Sequence, residues 1–441
     1  MYSTRAGVLA LIFALTVGCD AQTPAPVTEA DYAFVNVSVL PMDSERVVKA
    51  QTVLVAGDRI VAVGSAAELD VPADAEVIDG EGRFLMPGLA EMHGHVPAPN
   101  HGYVEETLFL YLSNGITTVR GMLGWPGQLE LRAQALSGDL LSPTLYLAGP
   151  SFNGQSVFNP AQAAQRVREQ VAEGWDLLKV HPGLTRAEYD SMAAAANELG
   201  IRFGGHVPAD VGILRALEAG QETFDHLDGY LQLAGGNQRI VPDDELHALA
   251  EQTKAAGAWV VPTMRLWDTV LGAADLDQMR AYEELQYMPE ETVNGWIGWY
   301  ENKIAQTGTQ NPAAQLEAQN RIRLLNAFDE AGVDILMGTD APQLFSVPGF
   351  SLHREIQAMR EAGMSPYAVL KSGTSNVGRY FSNEDTFGLV AENHRADLLL
   401  LDANPLADVA NLQRQAGVMV RGRWLPQAEI ERRLEGMTRS G

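Results

Sequence analysis

His93 and His95 form a short His-Gly-His motif whose residue types and spacing suit a metal ion. Side chains alternate between the two faces of a β-strand, so two histidines separated by one residue point to the same face. Two neighbouring imidazoles at a strand end can bind a divalent metal. If later residues converge on this pair, the motif belongs to a metal-dependent hydrolase. If they do not, it is a chance pair in a large soluble protein.

Four further residues with suitable side chains lie in or at the ends of later apolar segments: Lys179, His206, His226 and Asp340. In an α/β barrel, the C-terminal ends of the strands form the catalytic face. A single histidine on a strand is more often structural than functional. Six residues of the right types, each on a predicted strand and in barrel order, indicate one shared site.

Lys179 makes this set specific. A lysine in a buried strand is costly unless its charge is neutralised or paired. The neutral amine can add carbon dioxide and become a carbamate, an anionic oxygen ligand able to bridge two metals. The ligands then divide between two ions bridged by the carbamate: His93, His95 and Asp340 at one ion, and His206 and His226 at the other. An ion pair with an acid inside the fold is the alternative for Lys179.

Eight short apolar segments, separated by amphipathic stretches, would position these residues: 89–95, 117–122, 144–149, 177–181, 201–206, 222–227, 259–264 and 335–340. This alternation predicts an α/β fold with a (β/α)8 TIM barrel over residues 88–385. A doubly wound sheet is the alternative, but no G-x-G-x-x-G follows the first strand. The long insertion before the last strand is rich in tryptophan and tyrosine. It is expected either as a partial lid or pocket wall, or as helices with no substrate role.

The two ends of the chain share a β-rich pattern. Residues 34–40 alternate, and Ala56-Gly57-Asp58 separates two apolar runs as a hairpin turn would. Similar runs return at 397–401 and 418–424. We therefore expect residues 32–87 and 386–441 to build a small composite β-sandwich, with two unrelated edge hairpins as the alternative.

Composition restricts the possible partners. The chain has 441 residues, of which 46% are hydrophobic and 20% charged, as in a soluble globular protein. Its formal net charge of −25 argues against a nucleic-acid partner, because phosphate binding needs a basic surface.

The first residues have the pattern of an export signal. Arg5 precedes an apolar run at 7–17, which is too short to span a membrane, and Cys19 follows Gly18. Residues 1–19 are therefore predicted as a signal peptide with a lipobox-like end, in which Cys19 is lipidated and anchors the protein to a membrane. Residues 20–31 would be a tether. This predicts a periplasmic or cell-envelope lipoprotein of a bacterium, with an ordinary secretory signal as the alternative.

The six-residue pattern resembles the amidohydrolase superfamily, in its binuclear form with a carboxylated lysine. The resemblance extends to the composite sandwich and to Pro87-Gly88-Leu89 before the first strand. Prolidase-like dipeptidases, ochratoxin-cleaving amidases and imidazolonepropionases are the relatives it resembles. In such relatives a tyrosine after the sixth-strand histidine polarises the scissile carbonyl, which makes Tyr230 a candidate catalytic residue. The loop at 149–154 lacks a histidine that many prolidase-like enzymes carry there.

The site and the resemblance together predict a hydrolase that cleaves amide or peptide-like C–N bonds in dipeptide, Xaa-Pro or N-acyl amino acid substrates. Two divalent ions, with zinc as the default, would lower the pKa of a bridging water and so supply the attacking hydroxide. Asp340 would accept its proton as general base. A lactonase or phosphotriesterase, or a non-catalytic solute-binding lipoprotein, is the alternative. The sequence does not decide whether the protein forms a homo-oligomer.

Three other residues lie near the predicted rim. His181 faces the same side as Lys179 and could contact the substrate. Arg120 and Arg265 follow the second and seventh strands. Each could bind a substrate carboxylate or form a structural ion pair.

Overall fold

A computed structural model describes residues 28–308 and 311–438. The predicted signal peptide, Cys19 and most of the predicted tether lie outside the described residues, so export and lipidation stay predictions. Within the described part of the chain, no helix is both long and apolar enough to cross a membrane.

The strands occur in two terminal groups and one central group, in this order: β1 Tyr32–Val39, β2 Val48–Ala56, β3 Arg59–Ser65, β4 Glu76–Asp79, β5 Phe84–Pro87, β6 Leu89–Gly94, β7 Ile116–Gly121, β8 Thr144–Leu147, β9 Leu177–Val180, β10 Arg202–Gly205, β11 Thr223–Asp225, β12 Trp259–Val261, β13 Asp334–Ile335, β14 Leu398–Leu401, β15 Gln415–Val420 and β16 Arg423–Pro426.

The α-helices lie mainly between the central strands and after them: α1 Val104–Ser113, α2 Gln128–Ser137, α3 Pro160–Glu173, α4 Arg186–Leu199, α5 Ile213–Glu218, α6 Tyr230–Ala234, α7 Asp243–Ala255, α8 Met264–Leu271, α9 Leu276–Arg280, α10 Glu290–Thr307, α11 Pro312–Ala331, α12 Phe350–Glu361, α13 Pro366–Ser372, α14 Ser375–Tyr380 and α15 Gln427–Met437. Two 3₁₀ helices lie at Glu283–Tyr287 and Val409–Gln413.

The central strands form two parallel sheets, β6-β7-β8 and β13-β12-β11-β10-β9. Each of the eight predicted segments overlaps one of them, although β7 begins one residue before its segment and β13 shares only Ile335 with the last one. Most strands end before their predicted last residue, so His95, His206, His226 and Asp340 lie in the loops just after the strands. The loops at the carboxyl ends therefore carry most of the predicted ligands.

Hydrogen bonds link the two parallel sheets at both junctions. At β8 and β9, Ala148 pairs with Leu177, and the amide of Gly149 donates to the Leu177 carbonyl at 3.0 Å. Beyond β13, the Met337 carbonyl accepts from the amide of Met92 on β6 at 2.8 Å. Main-chain hydrogen bonds therefore join the two parallel sheets at both of their edges.

The terminal segments share one mixed sheet of eight strands, ordered β16-β15-β14-β5-β1-β2-β3 with β4 beside β1. Its side chains alternate between two environments. Leu398 and Leu400 pack with Phe34 in the sheet's own core, whereas Leu399 and Leu401 belong to the main core of the protein. A division of this sheet into two facing layers stays a prediction, as do the domain boundaries.

Local signals in the sequence explain how the connecting helices begin and end. Helix α4 begins with a capping box, in which the Thr185 side chain accepts from the Glu188 amide and the Glu188 side chain accepts from the Thr185 amide. It ends at Gly200, whose φ of 69° suits a residue without a Cβ. Such defined helix ends determine where the chain leaves each helix and enters the next strand.

Candidate metal centre

The structure brings the six predicted ligands together at the carboxyl ends of the parallel strands. His95 Nε2 lies 2.5 Å from Asp340 Oδ1, and His93 Nε2 lies 3.5 Å from the same oxygen. One ligand atom from each of these three residues lies within 4.8 Å of the others. This grouping of two imidazoles and a carboxylate suits a single divalent ion.

Lys179 is fully buried on β9, with its Nζ 3.0 Å from His93 Nε2. Burial lowers its pKa to about 8. Among the described residues its amine forms no ion pair with a carboxylate, and His93 is its only hydrogen-bonding partner. The structure therefore does not show the internal ion pair that was the alternative explanation for this lysine.

His206 and His226 form the other half of the cluster, with ring centroids 4.5 Å apart. Each ring uses Nδ1 for a neighbour: His206 lies 2.6 Å from Asp228 Oδ2, and His226 lies 2.7 Å from Thr263 Oγ1. Both Nε2 atoms are thereby left for another ligand. This arrangement, with one nitrogen oriented by the protein, is usual for metal-binding histidines.

His226 Nε2 is buried and has no hydrogen-bond partner among the described residues. The nearest carboxylate oxygen, Asp340 Oδ2, lies 3.7 Å away. A buried polar atom without a partner is costly and rare in native proteins. Its position between His93 and His206 is what a metal ligand requires.

Two of the candidate ligands have a left-handed backbone. His226 has φ 64° and Asp340 has φ 65°, values that residues other than glycine seldom adopt. The chain therefore turns sharply as it leaves β11 and as it leaves the segment after β13. Such strain is commonly found at functional sites.

The ionisation state of His93 and His226 favours metal binding. Burial lowers the pKa of both His93 and His226 well below the usual value for histidine, and the positive charge of neighbouring groups lowers it further. Both rings are therefore neutral near pH 7. A neutral imidazole offers the lone pair that a metal needs.

His93 lies against a buried ion pair. Asp225 on β11 is 2.7 Å from His93 Nδ1 and accepts from the Arg120 guanidinium at 3.2 Å. Arg120 also donates to the Met92 carbonyl on β6 and to the Thr223 hydroxyl. The pair thus ties β6, β7 and β11 together beneath the cluster.

Glu91 connects the other side of β6 to the loop that carries Asp340. Its carboxyl group accepts from the amides of His93 and Thr339 and contacts the Thr339 hydroxyl at 2.6 Å. Burial raises its pKa to about 8. Through these hydrogen bonds Glu91 links the strand that carries His93 to the loop that carries Asp340.

A cavity of about 460 Å³ opens beside His95. Its walls include Trp125 from the loop before α2 and Tyr287, Met288 and Trp296 from the insertion between β12 and β13. The insertion thus forms a pocket wall, as one of the two sequence interpretations expected.

Comparison with known proteins identifies the family. The family model described as "Amidohydrolase family" matches residues 84–425, which is most of the chain. The chain belongs to the amidohydrolase family. This agrees with the resemblance seen in the six-residue pattern.

Individual relatives of this amidohydrolase are distant. Ochratoxinase from Aspergillus niger is 22% identical over 423 residues, covering 86% of this chain and 83% of its own. A 5-methylthioadenosine/S-adenosylhomocysteine deaminase from Caldanaerobacter subterraneus subsp. tengcongensis is 22% identical, covering 84% of both chains.

Among solved structures, bottromycin amidohydrolase superposes with a TM-score of 0.72 at 23% identity, over 92% of this chain and 90% of its own. A Xaa-Pro dipeptidase with bound methionine gives 0.68 at 20% identity, over 90% and 99%. These likenesses concern the fold. The amidohydrolase is therefore TIM-barrel-like, with an additional mixed sheet.

The structure does not bring Tyr230 to the cluster, which corrects the role predicted for it. Its hydroxyl lies 2.8 Å from Thr253 Oγ1 on α7, and its ring packs against Phe224 and Phe328. These partners belong to the layer between the sheet and the outer helices. Tyr230 begins α6 one residue after Gly229, and the helix directs its side chain into that layer rather than toward the ligands.

The two arginines considered as substrate ligands have structural partners instead. Arg120 is fully buried in its ion pair with Asp225. Arg265 is bound by Asp268 and Glu361. His181 does reach the cluster, because its ring stacks on that of His206 with centroids 5.1 Å apart. Burial lowers the pKa of His181 to about 2, so the ring is neutral.

Sequence reasoning missed the residues that orient the amidohydrolase ligands: Glu91, Asp225, Asp228 and Thr263. A weak signal existed for two of them, since Asp225 and Asp228 flank His226 within three residues. Nothing in the sequence showed that Asp225 would contact His93 rather than the adjacent His226. That choice depends on which strands lie side by side.

Proposed function

We propose that this amidohydrolase cleaves an amide or peptide-like C–N bond in a small molecule, using two divalent metal ions with zinc as the expected metal. The observation that carries the proposal is the buried Nε2 of His226, which has no hydrogen-bond partner among the described residues and lies inside a cluster of imidazoles. A cluster without a metal role would leave this nitrogen unsatisfied at considerable cost.

The residues fit a pair of ions. Imidazole, carboxylate and a carbamate oxygen are donors that zinc accepts. His93, His95 and Asp340 would hold one ion, and His206 and His226 the other. Lys179, carboxylated on Nζ, would bridge them, since its amine has no carboxylate partner among the described residues. Such ions lower the pKa of a bound water and polarise a carbonyl group.

Asp340 is placed to move the proton. Its Oδ1 contacts His95, and its Oδ2 accepts from Gln343 Nε2 at 3.4 Å. We propose that Asp340 accepts the proton of the attacking water and passes it to the leaving nitrogen as the C–N bond breaks. Asp225, Asp228 and Thr263 keep the imidazoles oriented throughout.

The choice of an amide bond is supported by the similarity of this chain to a bottromycin amidohydrolase and to a Xaa-Pro dipeptidase. No feature of the cluster itself favours an ester, a lactone or a phosphotriester. We also propose that β6–β13 close into one barrel and that the terminal sheet folds as a sandwich. The main-chain bonds at both junctions of the parallel sheets support the closure.

The test combines metal content with activity. The purified protein is reconstituted with zinc, its bound metal is measured by atomic spectroscopy, and hydrolysis is assayed on dipeptides, N-acyl amino acids, lactones and organophosphates. We expect about two ions per chain and turnover of amides. Lys179→Ala should lose metal and hydrolysis together, whereas Lys49→Ala, at an exposed position on the terminal sheet, should keep both.

Two outcomes would overturn the proposal. The first is a reconstituted wild-type protein that holds no metal. The second is a Lys179→Ala variant with undiminished metal content and rate. Turnover restricted to lactones or organophosphates would leave the metal centre standing and replace the amide assignment.

A further inference from the structure

Two cavities lie beside the metal-ligand cluster, one at His95 and the other at Asp228. The first, called here the aromatic cavity, begins at His95 and Gln343 and is walled by Tyr103, Trp125, Tyr287 and Trp296. Gln343 is also the residue that donates to Asp340. The aromatic cavity therefore shares Gln343 with the carboxylate proposed to move the proton.

The second, called here the apolar groove, has a volume of about 590 Å³ and begins at Asp228, the partner of His206. Its walls include Val207, Ile213, Leu214, Leu233 and Trp267. Leu214 and Leu233 are 45% and 55% exposed, and grouped exposed apolar side chains often mark a ligand-binding groove. The Trp267 ring lies 5.8 Å from that of His226.

No lysine or arginine is among the described residues that line either cavity. The acidic residues Glu106 and Asp228 are among them. The nearby arginines are engaged elsewhere: Arg120 with Asp225, Arg265 with two acids, and Arg321 with the carbonyls of His226 and Pro262. A carboxylate in either cavity would therefore meet no lysine or arginine among the described lining residues, and any part of it that became buried would lack a compensating cation.

We propose that the substrate is an amide with a large aromatic or apolar group in the aromatic cavity and an apolar group in the groove, with no requirement for a free carboxylate. This rests on the proposed function and names its substrate class. It distinguishes the enzyme from one that selects free dipeptides, because recognition of a terminal carboxylate normally uses an arginine or lysine. Both halves of the substrate would bind through apolar contact.

Four related compounds test the proposal. N-naphthoyl-phenylalanine and N-naphthoyl-phenethylamine differ only in the carboxylate, and the two N-acetyl counterparts lack the large acyl group. We expect kcat/KM for the naphthoyl-phenethylamine to exceed that for the naphthoyl-phenylalanine by about tenfold or more, since an unpaired buried charge costs more than a tenfold factor. We expect the naphthoyl amides to exceed the acetyl amides by a similar factor.

Variants in the wall of the aromatic cavity test whether the large acyl group binds there. Trp125→Ala and Trp296→Ala should lower kcat/KM for the naphthoyl compounds by about tenfold or more and leave the acetyl compounds nearly unchanged. Trp299→Ala is the matched control for Trp296→Ala, because Trp299 lies on the same helix, α10, but does not line the cavity. Equal losses on both acyl groups would indicate a merely structural effect and overturn the assignment of the cavity.

A binding measurement separates failure of this proposal from failure of the proposed function. The probe is a naphthyl ketone in which CH2 replaces the amide nitrogen, titrated into the zinc-reconstituted protein by calorimetry. Binding that weakens in Trp125→Ala supports the cavity even if no amide is cleaved, a case in which only the proposed function fails. Turnover with a tenfold preference for the carboxylate compound overturns this proposal and leaves the amide-hydrolase function intact.

Discussion

Replacing Asp225 by alanine should damage both the stability of the fold and the metal centre, through two different partners. Asp225 is fully buried, lies 2.7 Å from His93 Nδ1, and accepts from Arg120 at 3.2 Å. The substitution leaves the Arg120 guanidinium buried without its counter-ion. It also removes the group that orients the His93 ring.

The two effects have different expected sizes. Breaking a buried ion pair by removing one partner costs about 3–5 kcal/mol of unfolding free energy, because an uncompensated charge remains. Loss of a group that orients a metal-binding histidine typically lowers metal affinity by about 10–100-fold. If the charge accounts for the stability loss, the double variant Arg120→Met/Asp225→Ala should recover a large part of it. It should not recover metal affinity, since His93 still lacks its partner.

Urea unfolding measures the first quantity, and zinc competition with a chromogenic chelator measures the second. Asp70→Ala, at an exposed position in the terminal region, is the control and should change neither. A double variant no more stable than Asp225→Ala would refute the charge argument. Unchanged zinc affinity in Asp225→Ala would refute the orienting role.

Three further predictions concern single residues. Glu355 is fully buried against the first amides of α8, and burial raises its pKa from 4.5 to about 7, so the folded state holds its proton more tightly than the unfolded state. The stability that protonated Glu355 contributes is therefore present below pH 4.5 and is lost as pH rises through 7. Because glutamine does not titrate, the unfolding free energy of Glu355→Gln relative to that of wild type should rise by roughly 3 kcal/mol between pH 4.5 and 8. A difference in urea midpoints that stays the same at every pH would contradict this. Tyr230→Phe removes the contact with Thr253 and should cost about 1 kcal/mol with kcat/KM within about twofold of wild type, whereas a hundredfold loss would restore the catalytic role. Cys19→Ser should release the protein from membranes into the soluble fraction, and fractionation that shows no redistribution would sink the lipidation prediction.

The alternation of apolar segments and helices predicted seven of the eight central strands closely, because side-chain burial on both faces leaves a strong pattern in each segment. The eighth, β13, shares only Ile335 with its predicted segment. The ends of the strands were less well predicted. His206, His226 and Asp340 follow their strands, since the chain turns at positive φ or leaves the sheet there. Such turns at residues other than glycine leave no clear signal in composition.

The candidate ligands could be found from the sequence because each is a distinctive side chain at a predictable place. Their supporting groups could not. The sequence places Asp225 next to His226, but the sheet order puts it beside His93 and Arg120, which come from β6 and β7. Tyr230 shows the converse error, because proximity in sequence to His226 suggested a shared site and the short helix α6 carried the ring away.

The sequence by itself determined the chemistry available to this protein: four imidazoles, one lysine and one carboxylate, each at the end of an apolar strand segment. Local patterns suffice for this, since strand periodicity and residue type are properties of neighbouring positions. Only the tertiary structure decided which atoms meet. Within the described part of the chain it leaves His226 Nε2 without a hydrogen-bond partner, Lys179 without an acid, and Arg120 paired with Asp225. Those outcomes depend on contacts between distant segments, and they support the proposed metal centre and the proposed apolar substrate.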